Sequence, residues 1–387
     1  MYNFDEIINR KDTDSVKWNA VKFLFGEEDL LPMWVADMDF ASPPEIQEAL
    51  INRAKHSVYG YGLPFQYIKE SIMNWVGKRY NWSISEQWII PSAGVVTALA
   101  TAIQTLTEEH DQILVQTPVY PPFFNTIEKN NRKVVFNPLL LNDGRYEINF
   151  VDFEEKLKNG VKVFILCNPH NPVGRVWTRD ELVRMAELCE KYDVYIISDE
   201  IHADIIYKPN VHTPIASIDE RYQKRTITAL APSKTFNIPG LQSSFMVIPN
   251  HEIMEKVKSV QEKMGFHGLN LFGNVAIEAA YKHGEYWLET LLPYLKRNVE
   301  YVKNYLEEEM PNVRLIEPEG TYLLWIDCRG LGLTDDEIKE KLVKKGKLAL
   351  EPGPKYGVEG SGFVRMNIGC PLSLVEEGMR RFKTAFS

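Results

Sequence analysis

One lysine, Lys234, stands within the stretch LAPSKTFNIPG (230–240), which contains no acidic residue to pair with it. Burial among apolar groups lowers the pKa of a lysine, because such surroundings disfavour the charged ammonium. The neutral amine is the form that attacks a carbonyl group. A lone lysine is more often an exposed side chain whose stem lies along the protein surface. Chemistry at Lys234 therefore requires partner groups from other parts of the chain.

Four further residues follow apolar runs that predict strands: Gly94, Tyr120, Asn171 and Asp199. The glycine precedes a predicted helix, whose N-terminal N–H groups could bind an anion. The tyrosine, held between prolines, offers a rigid aromatic face, and the asparagine offers an amide donor. The aspartate ends an apolar strand, where a carboxylate needs a positive partner. Each residue also has an ordinary explanation: a tight turn, core packing, a loop hydrogen bond or a structural ion pair.

Together these five groups match the requirements of one cofactor, pyridoxal 5′-phosphate (PLP). Its phosphate binds helix N–H groups, its ring stacks on an aromatic face, and its phenolic oxygen accepts from an amide. Its ring nitrogen stays protonated beside a carboxylate, and its aldehyde reacts with an amine. Because ligands of open α/β sheets bind at the carboxyl ends of the strands, groups at consecutive strand ends predict a single site.

Short apolar runs rich in β-branched residues alternate with helical patterns through the middle of the chain. The runs that predict strands are QILVQ (112–116), KVFILC (162–167), VYIISD (194–199), TITAL (226–230) and FMVIP (245–249). Helical patterns occupy 93–106 and 178–192, and Thr178 and Glu181 have the spacing of a capping box. The alternation predicts a mostly parallel α/β sheet.

The C-terminal part of the chain has a different pattern. Residues 285–310 form a long amphipathic helical pattern, in which Pro293 is expected in the first turn or at a kink. Strands are predicted at 321–327 and 362–369, each followed by a helix, which indicates a smaller α+β domain. The predicted organisation is an N-terminal arm with part of the small domain at 1–45, a large PLP-binding domain at 46–282 and the small domain at 283–387.

The composition excludes several classes of protein. A net charge of −9 argues against a nucleic-acid or anionic-membrane partner, since both require a basic surface. The four cysteines form no CxxC pair, which favours a reducing compartment and, together with an incomplete ligand set around Cys167 and His170, argues against a metal. The charged N-terminal sequence shows no secretory signal, and no apolar run has membrane-spanning length. A cytoplasmic protein is expected.

Seven motifs follow one another along the chain: YGYG, SAGVV, TPVYPPF, NPHNPVGR, SDEIHADI, SKTFN and FVRMNIGCP. With these motifs the chain resembles, over essentially its full length, the fold-type I PLP-dependent enzymes of the class I/II aminotransferase superfamily. WVADMDF (34–40) and SDEIH make it most similar to the cystathionine β-lyases of the MalY/PatB type, which are carbon–sulfur lyases. The resemblance implies a mostly parallel seven-stranded sheet between helices and a smaller α+β domain.

The resemblance also implies how the matching residues hold the cofactor. Lys234 would bind the aldehyde and later move the α-proton, and Asp199 would pair with the ring nitrogen. Asn171 would hydrogen-bond to the phenolic oxygen, helped by His202, and Tyr120 would stack on the ring. The residues implied for the phosphate are Gly94, Val95, Val96 and Ser233.

Substrate and partner residues follow from the same resemblance. Arg365 would bind the substrate α-carboxylate through a bidentate fork, with Asn171 beside it, and the backbone at Ala36 would border the substrate. Tyr61 would reach the site from the neighbouring subunit, so the resemblance implies a homodimer with a shared active site.

Two positions depart from the superfamily pattern. Many members have a serine three residues before the lysine and an arginine eight residues after it, and both bind the phosphate. This chain has Ala231 and Gln242 at those positions. The phosphate-binding region is therefore predicted to be less positive than usual, which favours the lyase branch over typical aminotransferases.

Three functions follow as hypotheses. The leading hypothesis is α,β-elimination of L-cystathionine or cysteine S-conjugates to a thiol, pyruvate and ammonia. The alternative is an aminotransferase of broad or aromatic specificity. A third hypothesis is a regulatory protein that keeps the fold but acts by binding a transcription factor, although the full catalytic set argues against a purely regulatory role.

Overall fold

The computed structural model describes residues 2–387. Its strands, in chain order, are β1 Leu31–Pro32, β2 Ile89–Ser92, β3 Gln112–Val115, β4 Lys133–Phe136, β5 Leu140–Asn142, β6 Arg145–Glu147, β7 Val161–Cys167, β8 Tyr195–Asp199, β9 Thr226–Leu230, β10 Ser244–Val247, β11 Arg314–Ile316, β12 Leu323–Asp327, β13 Leu348–Ala349, β14 Glu351–Pro352 and β15 Phe363–Asn367. The five strands predicted between residues 112 and 249 are all present, with ends that shift by no more than two residues.

The helices alternate with the strands through the middle of the chain and dominate its C-terminal part. They are α1 Val16–Asn19, α2 Val21–Phe25, α3 Pro44–Lys55, α4 Lys69–Tyr80, α5 Val95–Leu106, α6 Pro122–Lys129, α7 Phe150–Lys158, α8 Arg179–Lys191, α9 Glu220–Gln223, α10 His251–Lys263, α11 Leu271–His283, α12 Glu285–Glu309, α13 Asp335–Lys344 and α14 Leu372–Phe386. The predicted capping box of α8 is confirmed, since Thr178 and Glu181 each accept from the other's backbone N–H.

A seven-stranded sheet has the order β2-β10-β9-β8-β7-β3-β4. The pairs from β9 to β4 are parallel, and β10 runs antiparallel to both of its neighbours. The mostly parallel sheet is therefore confirmed, with one reversed strand. A separate hydrophobic core lies on each face of the sheet, and successive residues of the central strands point to opposite faces. Ile165 packs with α5 and α10 on one face, and Leu166 packs with α7 and α8 on the other. Burial on both faces explains why these strands lack polar alternation.

A second sheet has the order β11-β12-β15-β14, and α12, α13 and α14 follow or precede its strands. Near the N-terminus, β1 pairs in parallel with β13, which places part of residues 1–45 against the C-terminal part. The domain boundaries at 45 and 282 stay a prediction. The prediction that Pro293 lies in the first turn of a helix is wrong, since the residue lies inside the continuous helix α12. Leu291 and Leu295 are fully buried on either side of it, so tertiary packing outweighs the helix-breaking tendency of proline.

All four cysteines are free and buried: Cys167, Cys189, Cys328 and Cys370. Burial raises the pKa of each thiol, because the thiolate would lose its hydration. Across the described residues, none of the helices combines the length and apolarity that a bilayer crossing requires.

Candidate active site

A cavity of about 290 Å³ lies at the carboxyl ends of the central strands, where Asp199 ends β8 and the loop that carries Lys234 follows β9. Ten of the twelve predicted site residues line it, so residues that are distant in sequence share one space. These ten are Ala36, Gly94, Val95, Val96, Tyr120, Asn171, Asp199, His202, Ser233 and Lys234.

Lys234 points its ammonium group to the backbone of another segment. Its Nζ donates to the carbonyl oxygen of Ala36 at 2.6 Å, and the same oxygen accepts from Tyr322 Oη at 3.0 Å. Burial lowers the pKa of Lys234 to about 8, while the carboxylates of Asp37 and Asp199 act in the opposite direction. A substantial fraction of the amine is therefore neutral near pH 8, as attack on an aldehyde requires.

Asp199 lies opposite Cys167 in the β7–β8 pair and is 4% exposed. Its carboxylate accepts one hydrogen bond, from the backbone N–H of Ile201 at 3.1 Å. Burial raises its pKa to about 7, because one backbone donor does not replace the lost hydration. A protonated ring nitrogen placed beside this carboxylate would supply the missing positive partner and lower its pKa.

Asn171 and Arg365 contact each other at the side of the cavity nearest β15. Nη1 of Arg365 donates to Oδ1 of Asn171 at 3.2 Å. With Oδ1 engaged, Nδ2 is the amide group left to donate to a ligand oxygen. Arg365 is 4% exposed, and its Nε has no hydrogen-bond partner within residues 2–387. A buried guanidinium with an unused donor suits a carboxylate ligand.

Two aromatic side chains line the cavity, those of Tyr120 and His202. Tyr120 is half-buried, and burial followed by the charge of Asp199 raises its pKa, so its hydroxyl stays protonated. His202 is buried edge-to-face with Tyr322, with 5.9 Å between ring centroids. Burial lowers the pKa of His202 to about 3, and Lys234 adds to this effect. The imidazole is therefore neutral, and its Nδ1 finds no partner among the residues described.

The first turn of α5 forms the end of the cavity predicted to hold the phosphate. Gly94 has φ = 109° and ψ = 153°, a conformation that only glycine adopts readily. Its N–H already donates to Ser244 Oγ at 3.1 Å, so it is engaged and not free for an anion. The N–H groups of Val95, Val96 and Thr97 are the ones that a helix N-terminus leaves without intrahelical acceptors.

Ser243 and Gln242 complete this end, and the sequence reasoning missed Ser243. Gln242 adopts the left-handed conformation with φ = 48°. The next residue, Ser243, is 1% exposed, lines the cavity, and has a hydroxyl without a partner in the described chain. Among the described residues that line the cavity, Lys234 is the single Lys or Arg. Ser233 and Ser243 together with the α5 N-terminus therefore fit a phosphate through neutral donors.

Two predicted site residues do not line the cavity. Arg365 contacts the lining residue Asn171, whereas Tyr61 lies apart. Its side chain is fully exposed, in the irregular segment between α3 and α4. Its predicted role depends on a second subunit and stays a prediction.

Asp37 is a second residue that the sequence reasoning missed. Its carboxylate affects the pKa of Lys234 more than Asp199 does, although it precedes the lysine by almost 200 residues. The only sequence signal was its place in the motif WVADMDF.

The rate at which the apoprotein captures PLP is expected to rise with pH and to level off above pH 8. The reason is that only the neutral amine of Lys234 attacks the aldehyde, and its pKa of about 8 sets the fraction of neutral amine. Stopped-flow absorbance at a series of pH values measures this. A rate that is flat from pH 6 to pH 10 would contradict the lowered pKa of this lysine.

Ser243→Ala is expected to weaken PLP binding about two- to tenfold, the loss of one neutral hydrogen bond. The melting temperature of the apoprotein should not fall, because the hydroxyl has no partner among residues 2–387. Equilibrium titration with PLP and thermal melting measure the two effects. The matched control is Ser83→Ala, at an exposed position outside the cavity. Equal PLP affinity in both variants would remove Ser243 from the phosphate site.

The sheet and the cavity define an α/β protein whose site fits PLP. Residues 28–382 match the family described as aminotransferase class I and II. The chain belongs to this family.

The similar proteins span the whole chain. Cystathionine beta-lyase PatB of Bacillus subtilis (strain 168) is 46% identical over 386 residues, with 100% of both chains covered. The crystal structure of a PLP-bound protein from Clostridium difficile 630, described as a putative aminotransferase, has 46% identity and a TM-score of 0.98, with 100% of both chains covered. Cystalysin from Treponema denticola, crystallised with its pyridoxal 5′-phosphate cofactor, has 36% identity and a TM-score of 0.96, with 100% of this chain and 98% of that chain covered.

Proposed function

We propose that the chain is a PLP-dependent carbon–sulfur β-lyase that converts L-cystathionine or related cysteine S-conjugates to a thiol, pyruvate and ammonia. The observation that supports the cofactor is the convergence of Lys234, Asp199 and Asn171 on one cavity. Elimination is favoured over transamination because a relative of 46% identity is a cystathionine β-lyase and a solved structure of 34% identity is a carbon–sulfur lyase, each over the full length of this chain.

The proposed substrate position follows from Arg365. Its buried guanidinium has one unused donor and a second donor, Nη2, that is bonded only to a backbone carbonyl. The α-carboxylate of an amino acid would bind there, with the amide of Asn171 beside it. This orientation would direct the amino group and the α-hydrogen of the substrate toward Lys234.

The proposed chemistry is a proton transfer by Lys234 followed by loss of the sulfur group from Cβ. When bound, PLP would supply an electron sink for Cα of the substrate, which would make the α-hydrogen acidic. The neutral amine of Lys234 removes this proton, and Asp199 stabilises positive charge at the ring nitrogen. The ammonium of Lys234 would give this proton to the departing thiolate, which leaves as the thiol. After release, the remaining aminoacrylate would react with one water to give pyruvate and ammonia. Tyr120 would pack against the ring face and help exclude water.

A homodimer is part of the proposal. The segment that carries Tyr61 exposes several large apolar side chains, and Val58, Tyr59, Tyr61 and Leu63 are each more than 60% exposed. A contiguous exposed apolar segment of this kind is typical of an interaction surface. A second copy of the chain, packed on this segment, would place Tyr61 at the cavity of its neighbour. A cytoplasmic location is also proposed, since four free buried thiols suit a reducing compartment.

Incubation of the holoprotein with L-cystathionine tests the reaction. Pyruvate, ammonia and free thiol should form in equal amounts without added keto acid. Conversion to the pyridoxamine form, with turnover only after a keto acid is added, would replace the lyase by an aminotransferase. Bound PLP without reaction toward any amino acid would favour a binding role.

A mixture of Lys234→Ala and Tyr61→Ala subunits is expected to regain activity that neither variant has alone. One site of the mixed dimer would combine Lys234 of one subunit with Tyr61 of the other. Pyruvate release after the two proteins are unfolded together and refolded measures this. Activity that does not return, in a mixture shown to contain mixed dimers, would contradict a site shared between subunits.

A further inference from the structure

Residues 34–39, here called the strap, contact both functional side chains of the site through backbone carbonyls. The carbonyl oxygen of Trp34 accepts from Arg365 Nη2 at 2.7 Å. The carbonyl oxygen of Ala36 accepts from Lys234 Nζ at 2.6 Å. The arginine proposed for the carboxylate and the lysine proposed for the aldehyde therefore bind the same short segment at positions two residues apart.

The backbone of the strap is hydrogen-bonded to two asparagine side chains, one from β15 and one from the loop that carries Lys234. Asn367 of β15 donates through Nδ2 to the carbonyl oxygens of Val35 at 2.5 Å and Asp37 at 2.6 Å. Asn237, in the loop that carries Lys234, accepts from the backbone N–H of Met38 and donates to its carbonyl oxygen, both at 2.9 Å. The strap thus joins the strand that carries the arginine to the loop that carries the lysine.

Two cations and an indole from the N-terminal arm hold the carboxylates of the strap. Arg10 donates to Asp37 at 2.9 and 3.0 Å and to Asp39 at 2.7 Å. Lys17 donates to Asp39 at 2.6 Å, and Trp18 Nε1 donates to the same carboxylate at 3.0 Å. Lys17 is 1% exposed and Asp39 is 4% exposed. Buried charges without partners are strongly unfavourable, so these contacts favour a single arrangement of the strap.

We propose that Arg10 is a positioning residue of the active site, which acts through Asp37 and the strap on Lys234 and Arg365. The proposal rests on the proposed roles of those two site residues. Arg10 contacts neither of them. Its guanidinium hydrogen-bonds to both strap carboxylates and, at 3.1 Å, to the carbonyl oxygen of Met38. Lys17 hydrogen-bonds to the carboxylate of Asp39 and lies 3.7 Å from that of Asp37. Because both site residues bond the same strap, loosening it should change both together.

Arg10→Gln and Lys11→Gln form a matched pair for the test. Both substitutions remove one positive charge from the arm, but Lys11 is exposed and forms no ion pair with Asp37 or Asp39, as Arg10 does. Two properties are measured: the rate at which the full-length apoprotein captures PLP, and the dissociation constant of the holoprotein for L-alanine, which has no leaving group. Arg10→Gln should slow the capture and weaken L-alanine binding by on the order of tenfold each, because small displacements of reacting groups have large effects. Lys11→Gln should change neither.

Arg10→Lys should restore both properties in part, since an ammonium keeps the charge but loses the bidentate geometry. A lower melting temperature with both properties unchanged would overturn the proposal, and so would a change in only one of them. If Arg10→Gln does not fold, Asp37→Asn should reproduce the two changes when both are measured at pH 10. At that pH Lys234 is neutral with or without the Asp37 charge, which otherwise raises its pKa. Failure to reproduce them there would have the same consequence. Neither measurement depends on elimination, so a negative cystathionine assay would contradict the proposed function and leave this proposal standing.

Discussion

Replacing Lys234 with alanine is expected to lower the turnover of L-cystathionine by on the order of 10⁴-fold or more. The variant loses the amine that binds the aldehyde and the base that removes the α-proton. No other lysine or arginine among residues 2–387 lines the cavity, so no neighbour can substitute. Steady-state pyruvate release measures the loss.

The fold of this variant should persist, because its substitution removes one hydrogen bond to the Ala36 carbonyl and leaves the second, from Tyr322, in place. Borohydride reduction should add the mass of the cofactor to the wild-type chain and not to the variant. A small primary amine in the buffer should restore part of the activity. Turnover close to that of the wild type would remove Lys234 from the mechanism.

Asp199→Asn is expected to lower turnover by on the order of 10²- to 10³-fold while PLP remains bound. Asparagine keeps the size of the side chain but removes the negative charge that holds a proton on the ring nitrogen. Burial raises the pKa of this carboxylate to about 7, and the charge of Lys234 lowers it too little to offset the burial. Because Lys234, Tyr120 and the phosphate end of the cavity would still hold PLP, the effect should fall on the chemical step more than on cofactor affinity.

Steady-state kinetics and PLP titration separate the two contributions for Asp199→Asn. Asp199→Glu restores the charge with a longer stem and should recover part of the turnover. Equal turnover of wild type and Asp199→Asn would show that ring protonation does not depend on this carboxylate.

The sheet and the strand-end residues could be predicted because their signals are local. The runs that became β7, β8 and β9 are apolar and β-branched, and the groups at their ends lie within a few residues of a strand. Topology then brings Asn171, Asp199 and Lys234 together without further information, since parallel strands end along the same edge.

The strap and the phosphate end could not be predicted in the same way. The bonds from Arg10 to Asp37 and from Lys234 to Ala36 join residues that are 27 and 198 positions apart. No local pattern pairs such residues, because their contact depends on how the N-terminal arm docks. The engaged N–H of Gly94 likewise depends on Ser244, a residue of the neighbouring strand β10.

The burial of all four cysteines has a consequence for the proposed lyase, which would work in the presence of its own thiol product. Mixed disulfides form through an accessible thiolate, and a thiol with a raised pKa supplies very little of it. Cys167 borders the cavity, yet burial holds its pKa well above the ordinary value, and the other three lie in the core. The product thiol, or its disulfide, would therefore form no mixed disulfide with a cysteine of the protein. Product release would not be slowed by such a covalent bond.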